Sequence, residues 1–172
     1  MSVDWAVLYR SCFADLVRFL YRKVWDAERA QDLAQEAFVR VLSSPMTEPE
    51  SPRAWLFTVA ANLARDEARA GIRRRRHLTL LKSEAVVHPP SSPDPARELE
   101  EKERREALKE ALAALGDRDR EALLLWDAGL DYDEIARQTG LALGSVGTTL
   151  ARARRRLVEA HAALEAKHAA HR

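Results

Sequence analysis

All seven prolines of this 172-residue chain fall in two short stretches, 45–52 and 89–95, and this confinement constrains the fold most. A proline inside a helix removes a backbone hydrogen bond and clashes with the preceding turn. The rest of the chain is therefore free to be helical, and it shows neither strand-like alternation nor an internal repeat. We predict an all-α fold.

The second proline stretch is also rich in serine, which is typical of a linker between domains. We therefore predict two small helical modules, an N-terminal helical bundle and a C-terminal helix-turn-helix. The expected boundaries are residues 1–82 for the first module, 83–96 for the linker, 97–160 for the second module and 161–172 for a flexible tail.

Apolar residues recur at helical spacing three times in the N-terminal module. The pattern predicts helices over about 4–24 and 27–43, with Asp26 as the N-cap of the second. A third helix is expected to begin where Ser51 can cap and Pro52 can occupy the first turn.

The C-terminal module carries the punctuation of a helix-turn-helix. After a charged helix, Asp117 is predicted to cap a helix that ends at Gly129. Asp131 and Glu134 then form a capping box for a short helix. Gly140 separates this short helix from a longer, basic one.

The second predicted helix has a polar face opposite its apolar stripe, which contains Asp32, Gln35 and Glu36. A solvated helix face explains these residues, and so does an acidic docking face for a basic partner.

The third predicted helix aligns an aromatic residue with polar and basic ones, provided that it persists through Gly71. From residue 69 to 82 there are six basic residues and no acidic one. Such a stripe can neutralise phosphates, and the aromatic ring can stack on an unpaired base. The alternative is a solubilising helix end with a core tryptophan. The candidates are Trp55, Asn62, Arg65, Asp66, Arg69, Arg73 and Arg76.

The last predicted helix begins with hydroxyl residues and continues into arginines. In a helix-turn-helix, the N-terminal residues of the second helix meet base edges while basic residues grip phosphate. The alternative is an ordinary helical hairpin with a basic end. The candidates are Ser145, Thr148, Thr149, Arg152, Arg154 and Arg155.

Nothing in the chain suggests catalysis, a metal site or a cofactor. The five histidines show no metal-ligand spacing, there is no glycine-rich phosphate loop, and Cys12 lies on a core stripe. The single cysteine indicates a reducing, cytoplasmic setting. No apolar run approaches the roughly 18 residues of a membrane span, so no membrane insertion is expected. The net charge of +1 does not indicate whether the chain binds a nucleic acid.

Four segments in order resemble the extracytoplasmic-function (group 4) sigma factors of the sigma-70 family. Residues 32–38 are similar to the family's polymerase-binding helix, and residues 53–66 to its promoter-melting and -10-reading helix. Residues 123–136 are similar to the start of its -35-reading module, and residues 145–157 to its recognition helix.

The resemblance implies a transcription initiation factor that binds core RNA polymerase and recognises the -10 and -35 promoter elements. Asp32, Gln35 and Glu36 would face the clamp of the β′ subunit, and the β flap would be a second contact. The third-helix candidates would engage the -10 region, with the loop 44–51 beside a flipped-out base. The last-helix candidates would meet the -35 duplex, and an anti-sigma partner is implied.

The chain departs from the family's pattern at the recognition helix, where Ala142 replaces a polar N-cap and Gly147 and Thr149 replace basic residues. A lost cap costs about 0.5–2 kcal/mol and an interior glycine about 1 kcal/mol. We therefore predict weak -35 binding by the isolated C-terminal module, which nanomolar, sequence-selective binding would contradict. A free-standing helix-turn-helix regulator, or an interaction protein without promoter activity, remains an alternative.

Overall fold

A computed structural model describes residues 3–44, 51–78 and 94–170 of the chain. The described residues are helical throughout, apart from short caps and turns, which confirms the all-α prediction. The helices are α1 (Trp5–Val24), α2 (Ala27–Ser43), α3 (Pro52–Leu78), α4 (Pro95–Ala113), α5 (Asp117–Asp127), α6 (Tyr132–Thr139) and α7 (Leu143–Ala169).

Local side-chain caps set the helix boundaries of the N-terminal module. The Asp4 carboxylate accepts hydrogen bonds from the backbone N–H groups of the first turn of α1, and Asp26 does the same for α2. Between them Trp25 adopts a left-handed backbone conformation (φ 56°), which ends α1 and allows an immediate turn into α2. The Ser51 hydroxyl accepts from the N–H of Ala54 at 3.3 Å, so α3 begins as predicted.

The first three helices pack as a bundle around one apolar core. Leu16 and Leu20 of α1 and Leu33 of α2 are fully or almost fully buried, as are Leu56 and Phe57 of α3. All of these except Phe57 lie on the predicted apolar stripes. Burial of one face per helix positions the opposite polar faces toward solvent.

The C-terminal module has the predicted helix-turn-helix, α6 followed by α7. Both arms of the capping box are present between Asp131 and Glu134, and Gly140 ends α6 with a φ of 70°. The cap predicted at Asp117 is wrong. Gly116 occupies the cap position without a side-chain bond, and the Asp117 carboxylate pairs with Arg120 at 2.7 Å instead.

Two predicted boundaries differ from the structure. The predicted linker 83–96 overlaps α4, because Asp94 caps a helix that already includes Pro95 at its first turn; residues 79–93 lie outside the described part. The segment predicted as a flexible tail from residue 161 continues α7 to Ala169. Its many alanines favour helix, and α7 packs along α4.

The two modules contact each other through polar bonds. Arg53 at the start of α3 donates to Asp15 at 3.0 Å and to the Ala128 carbonyl in the turn after α5. Nearby, the Gln138 amide donates to the Ala54 carbonyl at 3.0 Å. Lys23 pairs with Glu121, and Ser51 donates to Glu134. These bonds place the N-terminus of α3 against the helix-turn-helix.

Candidate nucleic-acid and partner interfaces

The predicted docking face lies on the outer side of α2. Asp32 and Gln35 are exposed, and the half-buried Glu36 accepts a hydrogen bond from Arg40 at 2.7 Å. Because the opposite face of α2 is buried against α1 and α3, this surface is rigidly backed.

Two exposed apolar residues on α2 were missed by sequence reasoning. Val39 is 60% exposed and Leu42 is 56% exposed. At about 100° per residue, Val39 falls between Gln35 and Glu36, and Leu42 lies beside Gln35. Helical spacing could have found them, since Val39 is seven residues after Asp32. The acidic face therefore has an apolar end.

The basic stripe of α3 stands on one continuous helix, since α3 runs through Gly71 without interruption. Asn62, Arg65, Asp66, Arg69 and Arg73 are all exposed. The Arg65 guanidinium donates to the Asn62 side-chain oxygen at 3.1 Å. From Trp55 to Arg73 the stripe extends about 27 Å along the helix, at 1.5 Å per residue.

Trp55 belongs to both the stripe and the core. Its ring lies 6.2 Å from the ring of Trp5, and it is half-buried against the apolar cluster. The stacking and core interpretations of this residue are thus compatible.

The arginine run at the end of α3 is not wholly without acidic partners. Glu67, two turns earlier, pairs with Arg74 at 3.0 Å and with Arg29 of α2 at 2.7 Å. The hydrogen bond from Arg29 is the main reason why the pKa of Glu67 is lowered. Arg74 is therefore drawn away from the stripe, while the side chain of Arg76 lies outside the described part.

The candidates on α7 do not share one face. Ser145, Thr148, Arg152 and Arg155 are exposed and fall within about 80° of the circumference. We call these four residues the α7 reading face. Arg155 has a distant ionic neighbour, Glu159, at 3.9 Å.

Two predicted -35 contacts lie off the reading face. Thr149 is 3% exposed, because it lies on the flank that packs inward. Arg154 points to another side of α7, where its guanidinium lies 3.8 Å from the ring centre of Trp126. Both residues are neighbours of reading-face residues in the sequence, but the sequence could not show what covers each flank of the helix.

Sequence reasoning also missed Asp119, a carboxylate beneath the reading face. It accepts two hydrogen bonds from Arg152, at 2.9 and 2.6 Å, and Arg156 lies 3.6 Å away. The hydrogen bonds from Arg152 lower the pKa of Asp119. No sequence pattern marks this pair, whose members are 33 residues apart.

An open cleft of about 780 Å³ lies between the modules. Arg65 of the stripe lines it, opposite residues of α4 and α5, so this arginine faces the C-terminal module as well as solvent. Its charged lining is mostly basic: Arg22, Lys23, Arg65, Lys109, Arg118 and Arg120 against Asp117 and Glu121.

No group of the described residues resembles a metal centre. The described histidines, cysteine and carboxylates form no group that could hold a metal ion. Cys12 is fully buried, and this burial raises the pKa of its thiol. Among the described helices, none is both long enough and apolar enough to cross a membrane.

A helical bundle with an aromatic-basic stripe, joined to a helix-turn-helix, is the architecture of a two-module nucleic-acid-binding protein. Residues 8–77 match the family "Sigma-70 region 2", and residues 105–157 match "Sigma-70, region 4". Each of these two ranges falls within one of the two structural modules.

Curated relatives agree with these family matches. The chain is 31% identical over 150 residues to the RNA polymerase sigma factor YlaC of Bacillus subtilis, covering 86% of each chain. It is 31% identical over 154 residues to the ferric citrate uptake sigma factor FecI of Escherichia coli, covering 88% of this chain and 87% of FecI. It is 34% identical to the probable ECF sigma factor SigI of Mycobacterium tuberculosis, but spans only 58% of that protein's length.

Two solved structures share the fold. One is the sigma factor RpoE in complex with the anti-sigma factor NepR from Bartonella quintana, with a TM-score of 0.62, 24% identity and coverage of 91% and 96%. The other is CnrH in complex with the cytosolic domain of CnrY, with a TM-score of 0.63, 23% identity and coverage of 94% and 88%. The chain belongs to the sigma-70 family of RNA polymerase sigma factors, in its extracytoplasmic-function group. It is thus a transcription initiation factor that directs RNA polymerase to promoters.

Proposed function

We propose that three separate surfaces of this chain bind polymerase, the -10 element and the -35 element. The observation that carries the proposal is the unbroken α3, which aligns exposed cations with Trp55 on one face. The chain acts in the cytoplasm by binding polymerase and promoter DNA, without a catalytic step of its own.

The polymerase surface is the acidic face of α2. The carboxylates of Asp32 and Glu36 attract a basic partner surface, and Gln35 supplies a hydrogen-bonding amide. Val39 and Leu42 extend this face with exposed apolar area, which gains free energy when it is covered. The partner is the β′ clamp of core polymerase, and the β flap contacts the C-terminal module.

The -10 surface is the α3 stripe. Arg65, Arg69 and Arg73 neutralise phosphates, while Asn62 can hydrogen-bond a base and Trp55 can stack on an unpaired one. The carboxylate of Asp66 lowers the net positive charge in the middle of the stripe. The loop 44–51, which the resemblance assigns to a flipped-out base, falls outside the described residues except for its two ends.

The -35 surface is the α7 reading face, narrower than the sequence predicted. Thr148 and Ser145 lie near the start of the helix, where a helix-turn-helix contacts base edges, and the exposed Arg155 can reach phosphate. The Thr148 hydroxyl already donates to the Ser145 carbonyl at 3.0 Å, which leaves its oxygen free to accept. With Thr149 and Arg154 directed elsewhere, -35 binding is expected to be weak.

An anti-sigma protein is the proposed regulator of this chain. Its support is the family membership together with the two structural relatives, of which one is described with an anti-sigma factor and the other with a cytosolic domain.

The test is run-off transcription with core polymerase on a promoter library. We expect transcripts that depend on the added chain and that share a -10 and a -35 sequence. Operator-like duplex binding without any polymerase-dependent transcript would instead favour a free-standing helix-turn-helix regulator.

A further inference from the structure

Asp119 is a buried carboxylate that ties α5 to the reading face of α7. Its side chain is 9% exposed. One carboxylate oxygen accepts from Nε of Arg152 and the other from Nη2, so the pair is bidentate. The ion pair also extends to Arg156, whose Nη1 lies 3.6 Å from the same group.

The bidentate bond fixes the plane of the Arg152 guanidinium. Because Asp119 uses Nε and Nη2, the edge that carries Nη1 remains available, and the Arg152 side chain is 43% exposed. Arginine distinguishes guanine in the major groove by donating two hydrogen bonds to O6 and N7. A guanidinium that is already oriented loses less rotamer freedom when it makes such a contact.

Asp119 also reduces the charge that α7 presents to DNA. A phosphate attracts a guanidinium less when a carboxylate already neutralises it, and Asp119 contacts two such groups, Arg152 and Arg156. Phosphate contacts carry no sequence information directly, whereas base contacts do. The carboxylate thus disfavours the sequence-independent part of binding.

We propose that Asp119 is a specificity-determining positioning residue: it holds Arg152 as a base-reading group and withholds Arg152 and Arg156 from the DNA backbone. The inference rests on the proposed -35 role of α7. Asp119 itself acts through Arg152 and does not touch DNA.

The experiment uses the full chain bound to core polymerase. The promoter library first gives the -35 sequence that the wild type selects. Binding of the holoenzyme is then measured on that promoter and on one with a scrambled -35 sequence, over a range of salt concentrations. For Asp119→Asn we expect discrimination between the two to fall by roughly 5- to 150-fold, the range for one bidentate base contact. The slope of log affinity against log salt should steepen by about one to two units as two guanidinium groups reach phosphate.

Asp117→Asn is the matched control. It removes an equal charge two residues earlier on α5, but Asp117 pairs with Arg120 and not with α7. This variant should keep the wild-type discrimination and salt slope. An Asp117→Asn effect as large as that of Asp119→Asn would overturn the proposal, because net charge would then explain both.

A second variant covers the case in which Asp119→Asn folds poorly. Arg152→Lys keeps a cation beside Asp119 but lacks the planar fork of the guanidinium, so it cannot make the bidentate bond with the carboxylate and its contact with a base is no longer held in one orientation. We expect it to lose discrimination while its salt slope stays near the wild-type value. Full discrimination by Arg152→Lys would contradict the role given to Arg152.

The two proposals fail in different ways. A wild type that yields no chain-dependent transcript overturns the proposed function. A wild type that selects a -35 sequence, while Asp119→Asn retains both discrimination and salt slope, overturns the role of Asp119 alone. If Asp119 only holds α5 against α7, Asp119→Asn should change the thermal stability without changing the -35 discrimination or the salt slope.

Discussion

The two candidate DNA-binding helices, α3 and α7, both carry arginines but use them differently. Arg69 and Arg73 of α3 are exposed, and within the described part of the chain no carboxylate pairs with them. Three of the four arginines in the cluster on α7 have a close partner inside the module, and Arg155 has only a distant one. Arg152 and Arg156 share Asp119, Arg154 stacks on Trp126, and Arg155 lies near Glu159.

The difference indicates two ways of holding DNA. Uncompensated cations release counterions from phosphate and give strong, salt-dependent, sequence-independent attraction. Compensated cations give up part of that attraction but keep their orientation, which favours selectivity over affinity. We therefore expect α3 to dominate affinity and α7 to refine selection.

The largest effect is expected on the N-terminal module, because its proposed docking face would bind polymerase before either helix contacts a promoter. The double variant Asp32→Lys, Glu36→Lys should lose co-purification with core polymerase, because like charges placed together across an interface cost several kcal/mol. Glu106→Lys with Glu110→Lys on α4 makes the same charge change at the same spacing and should still co-purify. Unchanged recovery of the α2 variant would count against the docking face.

The next effect separates free from compensated arginines on α3 itself. Replacing Arg69 and Arg73 by alanine should make the salt slope of promoter binding shallower by roughly 1.4–1.8 units, since two phosphate contacts are lost. Arg74→Ala should change the slope little, because Glu67 already neutralises Arg74. Equal salt slopes for the Arg69 and Arg73 variant and for the Arg74 variant would contradict the distinction between free and paired arginines. Holoenzyme binding at several salt concentrations measures both.

A smaller effect separates two neighbouring arginines of α7. Arg155→Ala should weaken binding to a -35 duplex and reduce the salt slope by about 0.9 units. Arg154→Ala should leave the slope near the wild-type value but lower the unfolding free energy by about 0.5–1 kcal/mol, through loss of the contact with Trp126. A reduced salt slope for Arg154→Ala, with an unchanged slope for Arg155→Ala, would show that Arg154 and not Arg155 contacts DNA.

The smallest effect concerns the helix that carries the reading face. A Cβ added at Gly147 would lie 3.6 Å from the Tyr132 ring, an ordinary contact. Gly147→Ala should therefore stabilise the protein by about 0.5–1 kcal/mol, since glycine lowers helix stability. Thermal unfolding should show a rise of roughly 2–4 °C for each kcal/mol. A fall in the melting temperature would show that Gly147 is needed by the packing.

The features that sequence predicted well are local. The caps at Asp26 and Asp131 involve groups within three residues, so they can be read directly from spacing. The apolar stripes of α1 to α3 are likewise determined by helical period alone. These local rules are sufficient to position the polar faces of α2 and α3.

The features that the sequence did not predict depend on how neighbouring helices pack against the sides of a given helix. The period of α7 puts Thr149 next to the reading face, but the neighbouring helices decide that it is buried. The pairing of Asp119 with Arg152 joins residues 33 positions apart on different helices. Helical period places residues around one helix but does not give the register of its neighbours, so such contacts require the tertiary structure.

The central claim is that this chain directs polymerase to promoters with α3 as the dominant DNA contact and α7 as the weaker one. Run-off transcription on a selected promoter tests it when the -10 or the -35 sequence is scrambled in turn. Scrambling the -10 sequence should abolish the chain-dependent transcript, and scrambling the -35 sequence should leave a reduced but measurable one. A transcript that survives loss of the -10 sequence but not loss of the -35 sequence would contradict the account.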